Sequence, residues 1–197
     1  MKVIGLTGAS GSGKGEIAKF LAELGALIID ADKTAHRVIL SGNPAFNEIL
    51  EAFGTDILDG NREIDRKKLG GIVFSSDELR EKLVKITHKY IVEDNLKQME
   101  AAQKNASHKI VVFDAPLLLG SPLASVCDEI WVVSAEREIR ISRIMCRDKL
   151  SHEQVLTRID KQIDDKKAAK ADVFIENNDS TGNLRKKVAS EIQRLLE

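Results

Sequence analysis

Residues 2–16 read KVIGLTGASGSGKGE. An apolar run, a glycine-rich turn and the start of an amphipathic stretch follow one another without a gap. The turn fits the pattern G-x-x-x-x-G-K-[ST] at Gly8, Gly13 and Lys14, and departs from it at Gly15, where a hydroxyl residue is expected. In this strand–turn–helix setting, backbone N–H groups of the turn, Gly11, Ser12 and Gly13 among them, form a nest for phosphate oxygens. The N-terminus of the next helix lies behind them. Lys14 adds a point charge for the β- and γ-phosphates of a nucleotide. The missing hydroxyl is the one that ordinarily ligates Mg²⁺, so position 15 raises the question of whether such a site still transfers phosphate.

Outward from this stretch, short Val- and Ile-rich runs alternate with longer amphipathic ones. KVIGLT (2–7), ALIID (26–30), KIVVFDA (109–115), EIWVVS (129–134) and DVFIE (172–176) read as strands covered on both faces. Between the first two, Ile17, Phe20, Leu21 and Leu24 share one helical face, and Gly25 ends that helix. The pattern predicts an α/β fold with a five-stranded parallel sheet flanked by helices. The sequence is expected to form one domain, with a core of about 1–30 and 107–197. Residues 31–106, too long for a simple crossover, are expected to form a helical insert. The charged stretch from about 148 to 170 reads either as a solvated helical face or as a lid carrying cations. STGNLRKKVASEIQRLLE reads as a closing amphipathic helix.

With 197 residues, 43% hydrophobic, the chain can bury a core. A formal net charge of −1 gives no general reason to bind nucleic acid or membrane. Cys127 and Cys146 have no C-x-x-C spacing, as expected of reduced thiols. Met1 leads straight into the first strand, and no apolar stretch approaches a membrane span. A cytoplasmic protein acting on a small molecule, monomeric or weakly homo-oligomeric, is the expectation.

Two groups of carboxylates stand at strand ends, where ligands bind in such sheets. Asp114 closes IVVF and could hold Mg²⁺ directly or through water. Asp30 and Asp32 follow ALII. Either could cap the next helix, and either could orient and deprotonate an acceptor hydroxyl. Glu16 reads as a favourable first-turn acid or as a replacement metal ligand. Arg140, Arg143 and Arg147, spaced by three and four, lie on or near one helical face and suit charge on a transferring phosphoryl group. His88 sits in an amphipathic stretch, where a structural role is the ordinary one.

Taken in order, these segments resemble the dephospho-CoA kinase family over nearly the whole chain. The segments are IGLTG with GSGK, LGALIIDADKTAHRVI, ILDGNREIDRKKLGGIVF, VKITHKYI, DAPLL, RIMCRD and ADVFIENN. The resemblance implies a P-loop kinase fold with a helical substrate-binding insert and a lid. It implies transfer of the γ-phosphoryl group of ATP, with Mg²⁺, to the 3′-hydroxyl of dephospho-CoA, the last step of CoA synthesis. It matches Asp32 to the acceptor-hydroxyl base, Lys14 to the loop lysine and Arg143 and Arg147 to the lid-side arginines. Asn177 matches the asparagine near adenine, and Arg66 and His88 match substrate-domain positions. Gly8, Gly11, Ser12, Gly13, Lys14, Gly15 and Glu16 would hold the nucleotide. The chain departs from the family pattern at Gly15 for Ser, Glu16 for Thr, Lys89 for Pro, Gly120 for Glu and Arg140 for Gln. Two alternatives therefore stand beside the active kinase: a related P-loop kinase with another acceptor, and a non-catalytic nucleotide- or CoA-binding homologue.

Overall fold

The computed structural model describes residues 1–106, 108–160 and 171–197. Strands β1 (Lys2–Gly8), β2 (Leu27–Asp30), β3 (Ile110–Asp114), β4 (Glu129–Ser134) and β5 (Val173–Glu176) form a five-stranded sheet in the order β2-β3-β1-β4-β5. β1 pairs in parallel with β3 and β4, and β4 with β5. Each expected strand is present, with ends that differ by one residue at most from the sequence reading for all but β4, which matches it. Five consecutive buried residues in β1 show why the strands read as unbroken apolar runs: both faces are covered.

Helix α1 (Lys14–Glu23) follows β1, and α2 (Ala31–Val38) follows β2. Next come α3 (Pro44–Phe53), α4 (Arg66–Phe74) and the long α5 (Asp77–Lys104). After β4 come α6 (Arg137–Asp148) and α7 (His152–Asp160), and α8 (Thr181–Leu196) closes the chain. Ile17 and Leu21 put α1 fully into the core beside Ile4, Leu6, Trp131 and Val133 of the sheet, with Val188 of α8 against them. Each such side chain stabilises the fold by about 2 kcal/mol relative to exposure. Ser180 caps α8, its hydroxyl accepting from the Asn183 N–H.

The chain divides into two compact units, Met1–Ile29 with Ala101–Glu197, and Asp30–Glu100. The second has a core of its own, in which Phe46 and Ile49 of α3 pack with Ile57, Ile64, Leu69 and Val73. No helix among the described residues is long and apolar enough to cross a membrane. Of the stretch read as a lid, residues 161–170 lie outside the described residues. Its earlier part holds α7, whose Val155 and Ile159 pack against Ile141 and Ile144 of α6.

Candidate active site

β1 runs into a loop, residues 9–13, that delivers the chain to the first turn of α1. Strand order makes this a natural ligand crevice. β1 connects toward one side of the sheet and β4 toward the other, so the crossover direction changes beside the loop. The Ser12 N–H donates to the Ala9 carbonyl at 3.1 Å, closing the turn. Gly11 (φ 80°) and Gly13 (φ 93°) are left-handed, which a side chain resists. Neighbours exclude one as well. A Cβ at Gly11 would lie 2.7 Å from the Arg140 carbonyl oxygen, and one at Gly13 would run into Nδ2 of Asn177.

Three successive carbonyls of the loop are held from outside. Arg140 Nε donates to the Ser10 carbonyl at 3.0 Å, and Arg143 Nη1 to those of Gly11 and Ser12 at 3.4 Å each. Asn177 Nδ2 donates to the Ser12 carbonyl at 2.8 Å, and its Oδ1 accepts from Arg143 Nη2 at 3.5 Å. Asn177 is fixed in turn, because its N–H donates to the Ser134 carbonyl at the end of β4. Of the first N–H groups of α1, those of Glu16 and Ile17 donate to the Gly13 carbonyl at 3.0 and 3.4 Å. The Ser12 hydroxyl is fully buried and has no hydrogen-bond partner among the described residues.

Lys14 opens α1, and its ammonium is ion-paired with Asp114 at the carboxyl end of β3, both side chains mostly buried. Gly15, the position that departs from the motif, has open space around it: a Cβ there would meet no heavy atom within 4 Å. Glu16 is exposed in the first turn, a favourable place for an acid. Of the three candidate arginines, Arg147 is exposed and holds Asp148 through Nε at 2.7 Å and Nη2 at 2.9 Å. Arg158 of α7 also reaches Asp148, at 2.7 Å. The Arg147 guanidinium draws the Asp148 carboxyl down to about 2.

In the second unit, Asp30 and Asp32 have different surroundings. Asp30 caps α2, Oδ1 accepting from the N–H groups of Asp32 (3.0 Å) and Lys33 (3.1 Å). Asp32 is exposed, and nothing among the described residues hydrogen-bonds or ion-pairs with its carboxylate. Arg66, at the first position of α4 behind the cap Asp65, and His88 on α5 likewise carry no side-chain hydrogen bond or ion pair there. Lys89, the neighbour of His88, donates to Glu48 Oε1 of α3 at 2.7 Å, and the Tyr90 hydroxyl donates to the same oxygen. These two bonds hold the Glu48 carboxyl below the usual carboxylate range.

Sequence spacing placed the arginines on one face but did not show what that face meets. Arg140 and Arg143 lie behind the phosphate loop, while Arg147, one turn further, holds Asp148, to which Arg158 of α7 also donates.

A family model described as dephospho-CoA kinase matches residues 2–183. A dephospho-CoA kinase of Listeria innocua is 39% identical, over 99% of this chain and 98% of that one. Among solved structures, a Thermus thermophilus protein superposes with a TM-score of 0.81 at 27% identity, covering 98% of this chain and 97% of that one. A dephospho-CoA kinase from Campylobacter jejuni superposes with a TM-score of 0.74 at 32% identity, covering 99% and 98%. With the phosphate loop, its lysine and the parallel sheet in place, the chain belongs to the dephospho-CoA kinase family.

Proposed function

We propose that this chain transfers the γ-phosphoryl group of ATP to the 3′-hydroxyl of dephospho-CoA, yielding CoA and ADP, by direct in-line displacement. The carrying observation is the phosphate loop itself: its carbonyls at Ser10, Gly11 and Ser12 are turned outward and held, while Lys14 stands at the mouth beside Asp114. A polyphosphate fits that donor set, and the Ser12 hydroxyl, without a partner among the described residues, is a polar group that such a cradle explains.

Lys14 binds the β- and γ-phosphate oxygens after leaving Asp114. Asp32, with its carboxylate uncommitted among the described residues, accepts the proton of the ribose hydroxyl and orients its oxygen. Asp30, committed to the α2 cap, does not serve that purpose. Arg66 and His88 bind the acceptor. Arg147 and Arg143 balance charge on the transferring group; the 3.4 Å bonds of Arg143 are long, so its guanidinium changes partner at small cost. Asn177 holds the loop edge where the nucleotide base lies.

Mg²⁺ supplies charge neutralisation between the phosphates when bound. Asp114 would hold it, directly or through water. Mg²⁺ needs only one or two carboxylates when phosphates and waters complete its shell, so the absence of any three-residue ligand cluster among the described residues is compatible with it.

The test is CoA formation from Mg-ATP and dephospho-CoA, with CoA and ADP separated by chromatography, for wild type and Asp32→Ala. Wild type is expected to make both products in equal amounts and Asp32→Ala to make almost none. Wild type that binds Mg-ATP but makes no CoA, or an Asp32→Ala variant at full rate, refutes the proposal.

A further inference from the structure

The surroundings of Arg140 give it a task. It is almost fully buried, at 8% exposure, although it carries a charge. Its Nε donates to the Ser10 carbonyl at 3.0 Å. Its backbone lies directly against the loop, since a Cβ built on Gly11 would come within 2.7 Å of the Arg140 carbonyl oxygen and 3.0 Å of its Cα. The helix that carries it does not yield easily. The Arg140 N–H is bonded to the Glu136 carbonyl, and the next residue, Ile141, packs with Ile144, Val155 and Ile159.

A trans peptide is planar, with the C=O of one residue and the N–H of the next pointing in opposite directions. A donor that fixes the Ser10 carbonyl on the outer side of the loop therefore fixes the Gly11 N–H on the other. Gly11 is one of the loop's two left-handed glycines, where the backbone lacks the restraint of a side chain. We infer that Arg140 is a positioning residue: its Nε holds the Ser10–Gly11 peptide in the orientation that presents the Gly11 N–H to phosphate, so that the loop has its binding shape before nucleotide arrives. This rests on the reading that the loop binds nucleotide phosphates.

Side-chain chemistry sets which substitutions would keep this bond. Counted outward from Cβ, arginine Nε and glutamine Nε2 occupy the same position, the third atom beyond Cβ, and both are N–H donors. Methionine has the length and no donor. Lysine keeps the charge but has a methylene at that position.

The experiment measures Kd for ADP by calorimetry in EDTA, KM for ATP with Mg²⁺, kcat, KM for dephospho-CoA and the melting temperature of the free protein. The variants are Arg140→Gln, Arg140→Met and Arg140→Lys. Arg140→Met is expected to weaken ADP binding and raise KM for ATP about tenfold, as loss of a charge-assisted bond of roughly 1.4 kcal/mol implies. Its kcat at saturation and its KM for dephospho-CoA stay within about twofold. Arg140→Gln is expected to bind ADP within about twofold of wild type, and Arg140→Lys to resemble Arg140→Met. Should Arg140→Met fail to fold, the comparison of Arg140→Lys with Arg140→Gln decides: equal ADP affinity overturns the inference. Arg140→Met at wild-type affinity overturns it too, as does Arg140→Gln falling as far as Arg140→Met. Wild type that fails to bind ADP overturns the phosphate-site reading as well, which separates the two failures.

Discussion

Gly15→Ser, set against Gly15→Ala, separates the two things a side chain at this position can do. Gly15 lies in the first turn of α1, and a Cβ there meets nothing within 4 Å, so neither substitution has a steric cost. Replacing a helical glycine by alanine stabilises by about 1 kcal/mol, and by serine about half as much. In a domain of this size 1 kcal/mol moves the melting temperature by about 2–4 °C. Alanine should therefore raise it by about 2–4 °C and serine by about 1–2 °C. The order reverses for the metal. Serine returns a hydroxyl oxygen to the edge of the phosphate site, and counted as one charge-assisted contact of about 1.5 kcal/mol it is worth roughly tenfold. ADP release followed at fixed ATP and dephospho-CoA while Mg²⁺ is titrated should show half-saturation about tenfold lower in Gly15→Ser and unchanged in Gly15→Ala. Equal Mg²⁺ dependence of the two variants refutes the reasoning, because helix stabilisation alone would then account for both. A melting temperature below wild type in either variant refutes the claim of open space.

Burial, with help from the charges of Asp128 and Asp172, pushes the Cys127 thiol up to about 12, whereas Cys146 is exposed. A thiol reagent at pH 8 should consume one equivalent quickly, and Cys146→Ser should abolish that phase; two fast equivalents would contradict the described burial. The Asp148 carboxyl, drawn to about 2 chiefly by its hydrogen bonds from Arg147, stabilises the α6–α7 pairing wherever it is ionised. Because its folded pKa lies below its unfolded one, that contribution is complete above the unfolded value and is lost as pH falls through the folded one. Asp148→Asn should therefore melt below wild type at pH 7, with the gap closing between about pH 4 and pH 2. A gap that stays constant over that range would show that the charge is not the cause.

The frame of the fold was legible because its determinants are local. Runs such as IVVF and WVV can be buried on both faces only in the middle of a covered sheet, and the spacing of Ile17 and Leu21 suits one helical face. Leu24, read with them, caps the helix and stays exposed, because α1 ends at Glu23. What the sequence left open depended on which atom reaches which. Asp30 and Asp32 are equivalent as letters, and only the α2 backbone shows that Asp30 is committed to two N–H groups. Lys89 was visible as a departure, but its partner Glu48 stands 41 residues earlier. Arg140 and Arg143 share a face by spacing, yet that this face lies behind the phosphate loop follows from the packing of α6, which no periodicity encodes.

The pairing of Lys14 with Asp114 makes entry to the site an exchange of partners. An anion arriving at the loop must displace a carboxylate that is already in place and mostly shielded from water. A chloride or a carboxylate from solution brings a single charge, equal to the one it must evict, and gains little. On the proposed function, a polyphosphate brings several charges at once, enough to take the lysine and release Asp114. On that reading, the two residues that hold the site for a nucleotide also set a threshold of charge against the small anions that outnumber it in solution.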